Sequence, residues 1–318
     1  MTEEKKENES WQPGQEPEKQ DSPAQATAVA QTAEVQPTEY QKGCCGAAWS
    51  DVKSSKGWFG KVFLLALIDF IPILNWVANG YALRWARQLF FGRVEDMPKK
   101  IFGDRTFVTG AMLFLVTLCV GIVTAFVSVM LGYIPILGLG ALLGLCVVIF
   151  VDMVMNFCYL RMTIFDQLGE GFSINKGWGA MTKQVGKALC IQIVPSLIIG
   201  LIVCVILAIL TSIFFSMNGQ ALFSEWQALF NKSGASNFNA FMQIANSNMS
   251  IQKEFVIFIA KYVSAATPFV FIALLFANFG SALNSLIEFR AVGHYVTRYC
   301  QEWKQEPKFN VVLQCEER

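Results

Sequence analysis

Long apolar runs dominate the chain from residue 58 onward, and they predict membrane-spanning helices. Residues 109–131 carry no charged side chain. As a helix rising 1.5 Å per residue, this run would reach about 34 Å, which is enough to cross a bilayer. Comparable runs occupy residues 135–159, 188–215 and about 265–289.

The first apolar run, residues 62–83, is interrupted at Pro72. The sequence Ile71-Pro72-Ile73-Leu74 recurs as Ile134-Pro135-Ile136-Leu137, where it separates two full-length runs and marks the turn of a helical hairpin. One interpretation is that Pro72 also marks the turn of a short hairpin. The alternative is a single kinked span of about 33 Å. Basic residues flank both ends of the run, which favours a hairpin that enters and returns on one side.

The N-terminal segment has a different composition. Residues 1–57 contain no Leu, Ile or Phe, and their six Lys and ten acidic residues give a net charge of −4. Such a segment cannot form an apolar core and is predicted to be disordered. The predicted domains are a tail over 1–57, a membrane helical domain over 58–303 and a C-terminal tail over 304–318. The fold class is therefore an all-α polytopic membrane bundle of about six segments.

Composition and charge exclude several classes of function. Hydrophobic residues make up 54% of the chain and charged residues 15%, against about 25% charged residues in soluble domains. The net charge of +1 does not provide the basic field used in nucleic-acid binding. The nine cysteines include no C-x-x-C pair, and His294 is the one histidine. No catalytic, cofactor-binding or metal-binding residue is predicted, and the chain is expected not to be an enzyme.

Basic residues also predict the orientation. The connection 161–187 and the C-terminal flank are rich in Lys and Arg, whereas the long segment 216–264 has three lysines. Because cytoplasmic flanks attract Lys and Arg, both termini are predicted to lie in the cytoplasm, with the bundle in the cytoplasmic membrane. Residues 216–252 interleave aromatic and polar side chains, and we expect them to lie along the far membrane surface.

Eight polar residues within the predicted segments form a candidate intramembrane polar site. Asp152 lies in an apolar span with Asn156 one turn away, and an acid at lipid depth suggests a functional role. Asp69 and Asn75 flank the break at Pro72, where a broken helix exposes backbone groups. The remaining four share one face of the last span: Asn278, Ser281, Ser285 and Glu288. The alternative is that these residues provide hydrogen bonds between helices or to a loosened backbone, and that Asp152 makes such a bond or faces cytoplasmic water.

Several short motifs carry a family resemblance. They are Ile71-Pro72-Ile73-Leu74-Asn75, Gly80-Tyr81, Leu83-Arg84 and Glu95-Asp96-Met97-Pro98. Together they resemble the prokaryotic membrane family catalogued as domain of unknown function 4013. The chain departs from that pattern at Lys99-Lys100-Ile101-Phe102. The resemblance extends loosely to about residue 300 and excludes the tail. It implies a multi-pass bacterial or archaeal membrane protein, but no activity and no functional residues.

Two hypotheses of function follow. The first is a non-enzymatic membrane scaffold or accessory protein, whose partners are the lipid bilayer and proteins bound through the tail. The second is a small-solute or ion permease that uses polar residues at the broken first segment and in the third long run. The oligomeric state is left open by the sequence.

Overall fold

The chain folds as a bundle of helices. A computed structural model describes residues 43–71, 74–132 and 139–316, and no strand occurs among them. The helices are α1 Cys44–Ser54, α2 Trp58–Asp69, α3 Asn75–Phe90, α4 Asp104–Gly132, α5 Leu139–Phe165, α6 Ile174–Thr182, α7 Val185–Ser233, α8 Phe238–Ser247, α9 Met249–Tyr299 and α10 Pro307–Glu316. Two 3₁₀ helices, Leu168–Phe172 and Gln301–Gln305, connect them. The predicted all-α fold is confirmed.

Four helices of the described chain, α4, α5, α7 and α9, are long and apolar enough to cross a membrane. Their outward faces expose large apolar side chains, including Ile122 and Phe126 on α4 and Leu201 on α7. Such faces suit lipid, because a helix satisfies its own backbone hydrogen bonds and presents only apolar side chains to the hydrocarbon. The predicted membrane bundle is therefore present.

The first apolar run forms two helices and not one kinked span. Helix α2 ends at Asp69 and α3 begins at Asn75. With 12 and 16 residues, they reach only about 18 and 24 Å, less than the roughly 30 Å of a bilayer core. Pro72 and Ile73 lie outside the described residues, as does the second Ile-Pro-Ile-Leu copy at 134–137. The pair is the short hairpin that the flanking charges favour.

Helix α3 lies at the centre of the bundle, between α4 and α9. At Gly80 and Gly110 the backbones of α3 and α4 come so close that a Cβ atom on Gly110 would collide with the carbonyl of Trp76. The rings of Trp76 and Phe114 stack beside this contact, 4.1 Å between centroids. Small residues permit this approach, since helices in lipid associate mainly through close packing.

Helix α1 corrects the predicted boundary of the N-terminal tail. Residues 44–54, which the composition assigned to a disordered segment, form a helix whose Ala48 and Val52 are fully buried. Only small or short side chains line this buried stripe, so its apolar signal is weak in the sequence. The rest of the predicted tail, residues 1–42, lies outside the described residues.

The C-terminal residues also fold onto the bundle. Trp303 and Phe309 are buried, and the ring of Phe309 stacks on Phe91 and meets Phe90 edge-on, both at 5.4 Å. The segment that was predicted to be a tail from residue 304 therefore forms a helix, α10 (Pro307–Glu316), which contributes Phe309 to the core.

Helices α7 and α9 continue well beyond their apolar stretches. They contain 49 and 51 residues, and α8 connects their far ends. We call residues 216–262 the arm. The expectation that 216–252 lies along the membrane surface is wrong, because α7 runs from its apolar part into the arm without a break. The turns are well defined: Gly234 closes α7 with φ of 69°, and the side chains of Asn237 and Asn248 cap α8 and α9.

The other ends of the spans meet on one side of the bundle. Lys183 Nζ donates to the carbonyl oxygen of Tyr299 at 2.9 Å, and Arg84 pairs with Asp166 at 2.7 Å. We call this side, where the spans approach Arg105, Phe165, Val185 and Tyr299, the basic face. Both α1 and α10 pack there, so both described ends of the chain lie at the basic face.

The α3–α4 contact can be tested with two glycines of the same helix. We expect Gly110→Ala to lower the free energy of unfolding by about 1–3 kcal/mol, because its methyl group must push apart two backbones. Gly121→Ala is the control, because no atom lies within 4 Å of the position that its added methyl group would occupy. Thermal unfolding of both purified variants in detergent measures the difference. Equal midpoints for the two variants would contradict the close approach.

Candidate functional site

A cluster of polar side chains connects the three helices α5, α7 and α9 near the basic face. The side-chain amide of Asn156 donates to Glu288 Oε1 at 2.5 Å and to Gln192 Oε1 at 2.8 Å. Asn284 Nδ2 donates to the second oxygen of Glu288 at 3.3 Å and to Ser196 Oγ at 3.2 Å. We call these five residues the polar cluster. It places one carboxyl group among amides at the junction of three spans.

Two of the eight candidate residues, Asn156 and Glu288, meet in this cluster. The other three residues, Gln192, Ser196 and Asn284, were not predicted. A signal for them exists: residues 192 and 196, and likewise 284 and 288, are four apart, so each pair shares one helix face. Which faces meet is decided by the packing of α7 against α9, which no spacing in one helix specifies.

The remaining candidates lie elsewhere. Asp152 is exposed on α5, and Ser281 is exposed on α9. Asn278 and Ser285 are half-buried on α9. Asn75 accepts a hydrogen bond from Asn79, 2.7 Å away within α3.

Asp69 is half-buried at the end of α2. Stacking of Phe70 on Phe271, with ring centroids 5.6 Å apart, sets this end of α2 beside residue 271 of α9. Glu288 is 17 residues further along α9, a rise of about 25 Å. The eight candidates therefore do not gather into one site.

The strongest electrostatic feature was not predicted. Arg290 of α9 has 0% exposure, and its Nε donates to Asp51 Oδ2 of α1 at 2.7 Å. Its Nη1 donates to the carbonyl oxygen of Trp85 at 2.7 Å, and the guanidinium lies 4.3 Å from the centre of the Trp85 ring. His294 Nε2 lies 3.0 Å from the same oxygen of Asp51. One buried cation thus ties together α1, α3 and α9.

Arg161 of α5 forms a second buried ionic centre, with 2% exposure. It donates two hydrogen bonds to Glu306, at 3.0 and 2.6 Å, and one to Glu170 at 2.7 Å. Lys308 Nζ binds the other oxygen of Glu170 at 2.6 Å, and Trp303 covers the guanidinium at 5.0 Å. This centre holds the first 3₁₀ helix and the C-terminal segment to α5.

The carboxyl groups of these two centres have lowered pKa values, which favour their ionised form. Burial tends to raise the pKa of Asp51, but hydrogen bonding to His294 and the charge of Arg290 lower it below its ordinary value. Burial opposes ionisation of Glu170 and Glu306 in the same way. Hydrogen bonds from Lys308 and Arg161 lower the pKa of Glu170, and Arg161 lowers that of Glu306. Carboxylates that are paired with buried cations hold structure together at neutral pH.

A third group of charges lies where α3, α4 and the end of α5 meet. Asp166 pairs with Arg84 at 2.7 Å, with Arg87 at 3.3 Å and with Arg105 at 3.9 Å. Arg84 Nε also donates to Thr109 Oγ1 at 2.8 Å. Among the residues that the structure describes, no three His, Cys, Asp or Glu side chains are grouped as metal ligands.

The α1 ion pair makes a testable contribution to stability. We expect Asp51→Asn to lower the free energy of unfolding by about 3 kcal/mol at neutral pH, because it leaves the buried Arg290 without its carboxylate. A lowered pKa stabilises the fold above the ordinary Asp value of about 4, and this stabilisation is lost as the pH falls through the lowered pKa. The difference between wild type and Asp51→Asn should therefore shrink below about pH 4.

The matched control is Lys53→Gln, which changes an exposed charge on the same helix and should cost less than about 0.5 kcal/mol. Chemical unfolding of the three proteins across pH measures the effect. An Asp51→Asn variant as stable as Lys53→Gln at pH 7 would show that the pair does not hold α1.

Comparison with known proteins supports one relationship. A family model described as protein of unknown function (DUF4013) matches residues 63–215. No curated protein and no solved structure matches the chain significantly. The match runs from α2 into α7 and ends where the arm begins. The sequence had suggested a resemblance that extends to about residue 300. Over residues 63–215 the resemblance is confirmed, and this part of the chain matches a protein family of unknown function.

Proposed function

We propose that the chain is a non-enzymatic membrane scaffold or accessory protein that uses its arm to bind a partner protein outside the bilayer. The observation that carries this proposal is the arm itself, a helical hairpin with a core of its own. Residues 216–233 of α7 continue this helix by about 27 Å beyond its apolar stretch.

An aromatic cluster stiffens the arm. Trp226 lies at its centre, and five phenylalanine rings surround it at centroid distances of 5.1–6.3 Å: Phe230, Phe238, Phe241, Phe255 and Phe258. Ion pairs Lys232–Glu254 and Lys261–Glu225 join α7 to α9 on the surface. Aromatic pairs add about 0.5–1.5 kcal/mol each beyond area burial. With Phe241 fully buried within the cluster, the arm is a preorganised structure.

Part of the arm surface is apolar and exposed. Phe223 and Ile257 are 65% and 66% exposed, and Val256 is exposed beside Ile257. Large apolar side chains are expected on the lipid-facing spans, but on a segment beyond them they are typical of protein-binding surfaces. A rigid hairpin with such a surface is better suited to binding a partner protein than to catalysis.

The charge distribution supports an orientation for this scaffold. The basic face carries the buried arginines and most of the exposed lysines near the spans, and such ends lie in the cytoplasm. We therefore propose that the bundle lies in the cytoplasmic membrane with both termini inside. The arm then extends on the opposite side, while residues 1–42 are available to cytoplasmic partners.

Photo-crosslinking from the arm tests the proposal. We expect a crosslinker introduced at Ile257 to capture a defined partner in intact cells, because this apolar side chain is 66% exposed on the arm. The same crosslinker at Gln252, also exposed on α9, is the control for chance encounters. Gel shifts and mass spectrometry of the adducts give the measurement.

Deleting the arm provides the second half of that test. Replacing residues 218–260 by a short Gly-Ser linker should remove the captured partner, while the thermal midpoint of the remaining bundle stays close to that of wild type. Identical adducts from positions 257 and 252, or unchanged co-purification after the deletion, would refute a recruiting role for the arm.

The polar cluster favours a second candidate function, a permease for a small solute or ion. Glu288 accepts hydrogen bonds from the amides of Asn156 on α5 and Asn284 on α9. A carboxyl group in such a setting can bind a solute within a membrane. A ligand at 100 times its dissociation constant should stabilise the folded protein by about 2.7 kcal/mol. If the protein is a permease, a thermal screen of ions and small metabolites should find such a ligand. The stabilisation by that ligand should vanish in Glu288→Gln but persist in the control Ser281→Ala. A screen without any stabilising solute would count against transport.

A further inference from the structure

A cavity of about 260 Å³ opens at the basic face beside the start of α4. Four arginines from three parts of the chain line it together with three other residues: Arg84, Arg87, Gln88, Phe91, Arg93, Pro98 and Arg105. Guanidinium groups that are held together repel one another, and Asp166 offsets part of this repulsion through its pairs with Arg84, Arg87 and Arg105. Neither the polar cluster nor the arm uses this cavity.

The arginines are held in place at different depths. Arg84 and Arg87 are mostly buried at the inner end, where Asp166 and Thr109 fix Arg84. The guanidinium of Arg87 lies 4.8 Å from the centre of the Phe91 ring. Arg105 is 61% exposed at the mouth. The cavity therefore has a preorganised floor and an open rim that solvent or lipid can reach.

The segment that supplies the four arginines is positively charged even when Asp166 is counted with it. Residues 84–105 contain six Lys and Arg and three acids, so that with Asp166 the net charge is +2. The local field thus attracts anions, although the whole chain has a net charge of only +1. The planar guanidinium groups match the oxygens of a phosphate, which they can bind with two parallel hydrogen bonds.

The position of the cavity indicates where that phosphate comes from. Arg105 begins the apolar span of α4, and Phe102, Phe107 and Val108 expose their side chains around it. Apolar side chains next to arginines at the end of a span mark the depth of lipid headgroups. A volume of about 260 Å³ is close to the lower limit of small-ligand pockets, roughly 300 Å³, which suits a headgroup and not a larger cofactor.

We propose that this cavity binds the phosphate group of an anionic phospholipid in the leaflet at the basic face. The acyl chains would lie against the exposed apolar side chains of α4, while Arg93 and Arg105 close over the phosphate. This proposal does not depend on the arm or on the scaffold function.

Matched charge removals test the proposal with the full chain in nanodiscs. The first variant is Arg93→Gln/Arg105→Gln, which removes two exposed cations that line the cavity. The control is Lys99→Gln/Lys100→Gln, which removes two exposed cations that lie between Arg93 and Arg105 in the sequence but do not line the cavity. Both variants lose the same net charge, so any general attraction to an anionic surface changes equally.

The measured quantity is the binding of phosphatidic acid, followed by native mass spectrometry and by thermal midpoint in phosphatidylcholine nanodiscs with and without it. We expect saturable binding to wild type and to the lysine variant, and a loss of affinity of about tenfold or more in the arginine variant, because it loses two charge-assisted contacts. Equal losses in both variants, or no saturable binding by wild type, would overturn the proposal.

Inorganic phosphate serves as the soluble probe. Stabilisation by phosphate that matches the effect of phosphatidic acid would assign the cavity to a free anion and overturn the lipid assignment. If the double arginine variant fails to fold, Arg93→Gln alone replaces it, with Lys99→Gln as its control, because Arg93 is exposed. In that pair too, a loss of lipid affinity in Arg93→Gln alone would support the proposed site. An equal loss of affinity in both variants would overturn it.

Discussion

Two fully enclosed guanidinium groups impose the main constraint on this structure. Arg161 and Arg290 lie at the ends of spans, where neither water nor lipid surrounds them. A buried cation without a partner is strongly destabilising. Their carboxylate partners come from outside the spans: Asp51 from α1, Glu170 from the first 3₁₀ helix and Glu306 from the C-terminal segment. Segments that are too short to fold alone are therefore held to the bundle by charges at its basic face.

Because the buried ion pairs lie at the basic face, the two ends of the bundle differ in structure. At the basic face, ion pairs and aromatic rings connect nearly every helix, and the central hairpin α2–α3 lies among them. At the opposite end, α7 and α9 extend alone and form a second core around Trp226. The polar cluster lies between these regions and joins three spans by amide hydrogen bonds. A rigid base and a projecting arm suit a protein that holds other components at the membrane.

The spans and the hairpin were accessible from the sequence because their signal is local. Uninterrupted apolar runs predict the spans, and basic residues on both sides of residues 62–83 predict the return of the chain. The family resemblance rests on local motifs between Ile71 and Pro98, and it is confirmed over residues 63–215. Helix α1 was missed because its buried stripe contains small residues, and the arm because interleaved aromatic and polar residues suit a surface helix equally well.

The site was less accessible because its contacts join distant parts of the chain. Asp51 and Arg290 are 239 residues apart, and each resembles an ordinary flanking charge when it is viewed alone. Gln192 and Asn284 lie within apolar runs where a single polar residue carries little weight. Asn156 and Glu288 were recognised, but the packing of α5 and α9 decides that they meet.

Hydrogen–deuterium exchange of Arg161→Met tests the organising role of the buried arginines most directly. We expect faster exchange in residues 168–172 and 307–316, which lose their common partner, with unchanged exchange in the arm at 216–262. Wild-type protection in both of those segments would contradict the claim that the buried cation holds them in place. Uniformly faster exchange across the whole chain would equally contradict it, since the loss would then be global and not confined to the segments that Arg161 joins.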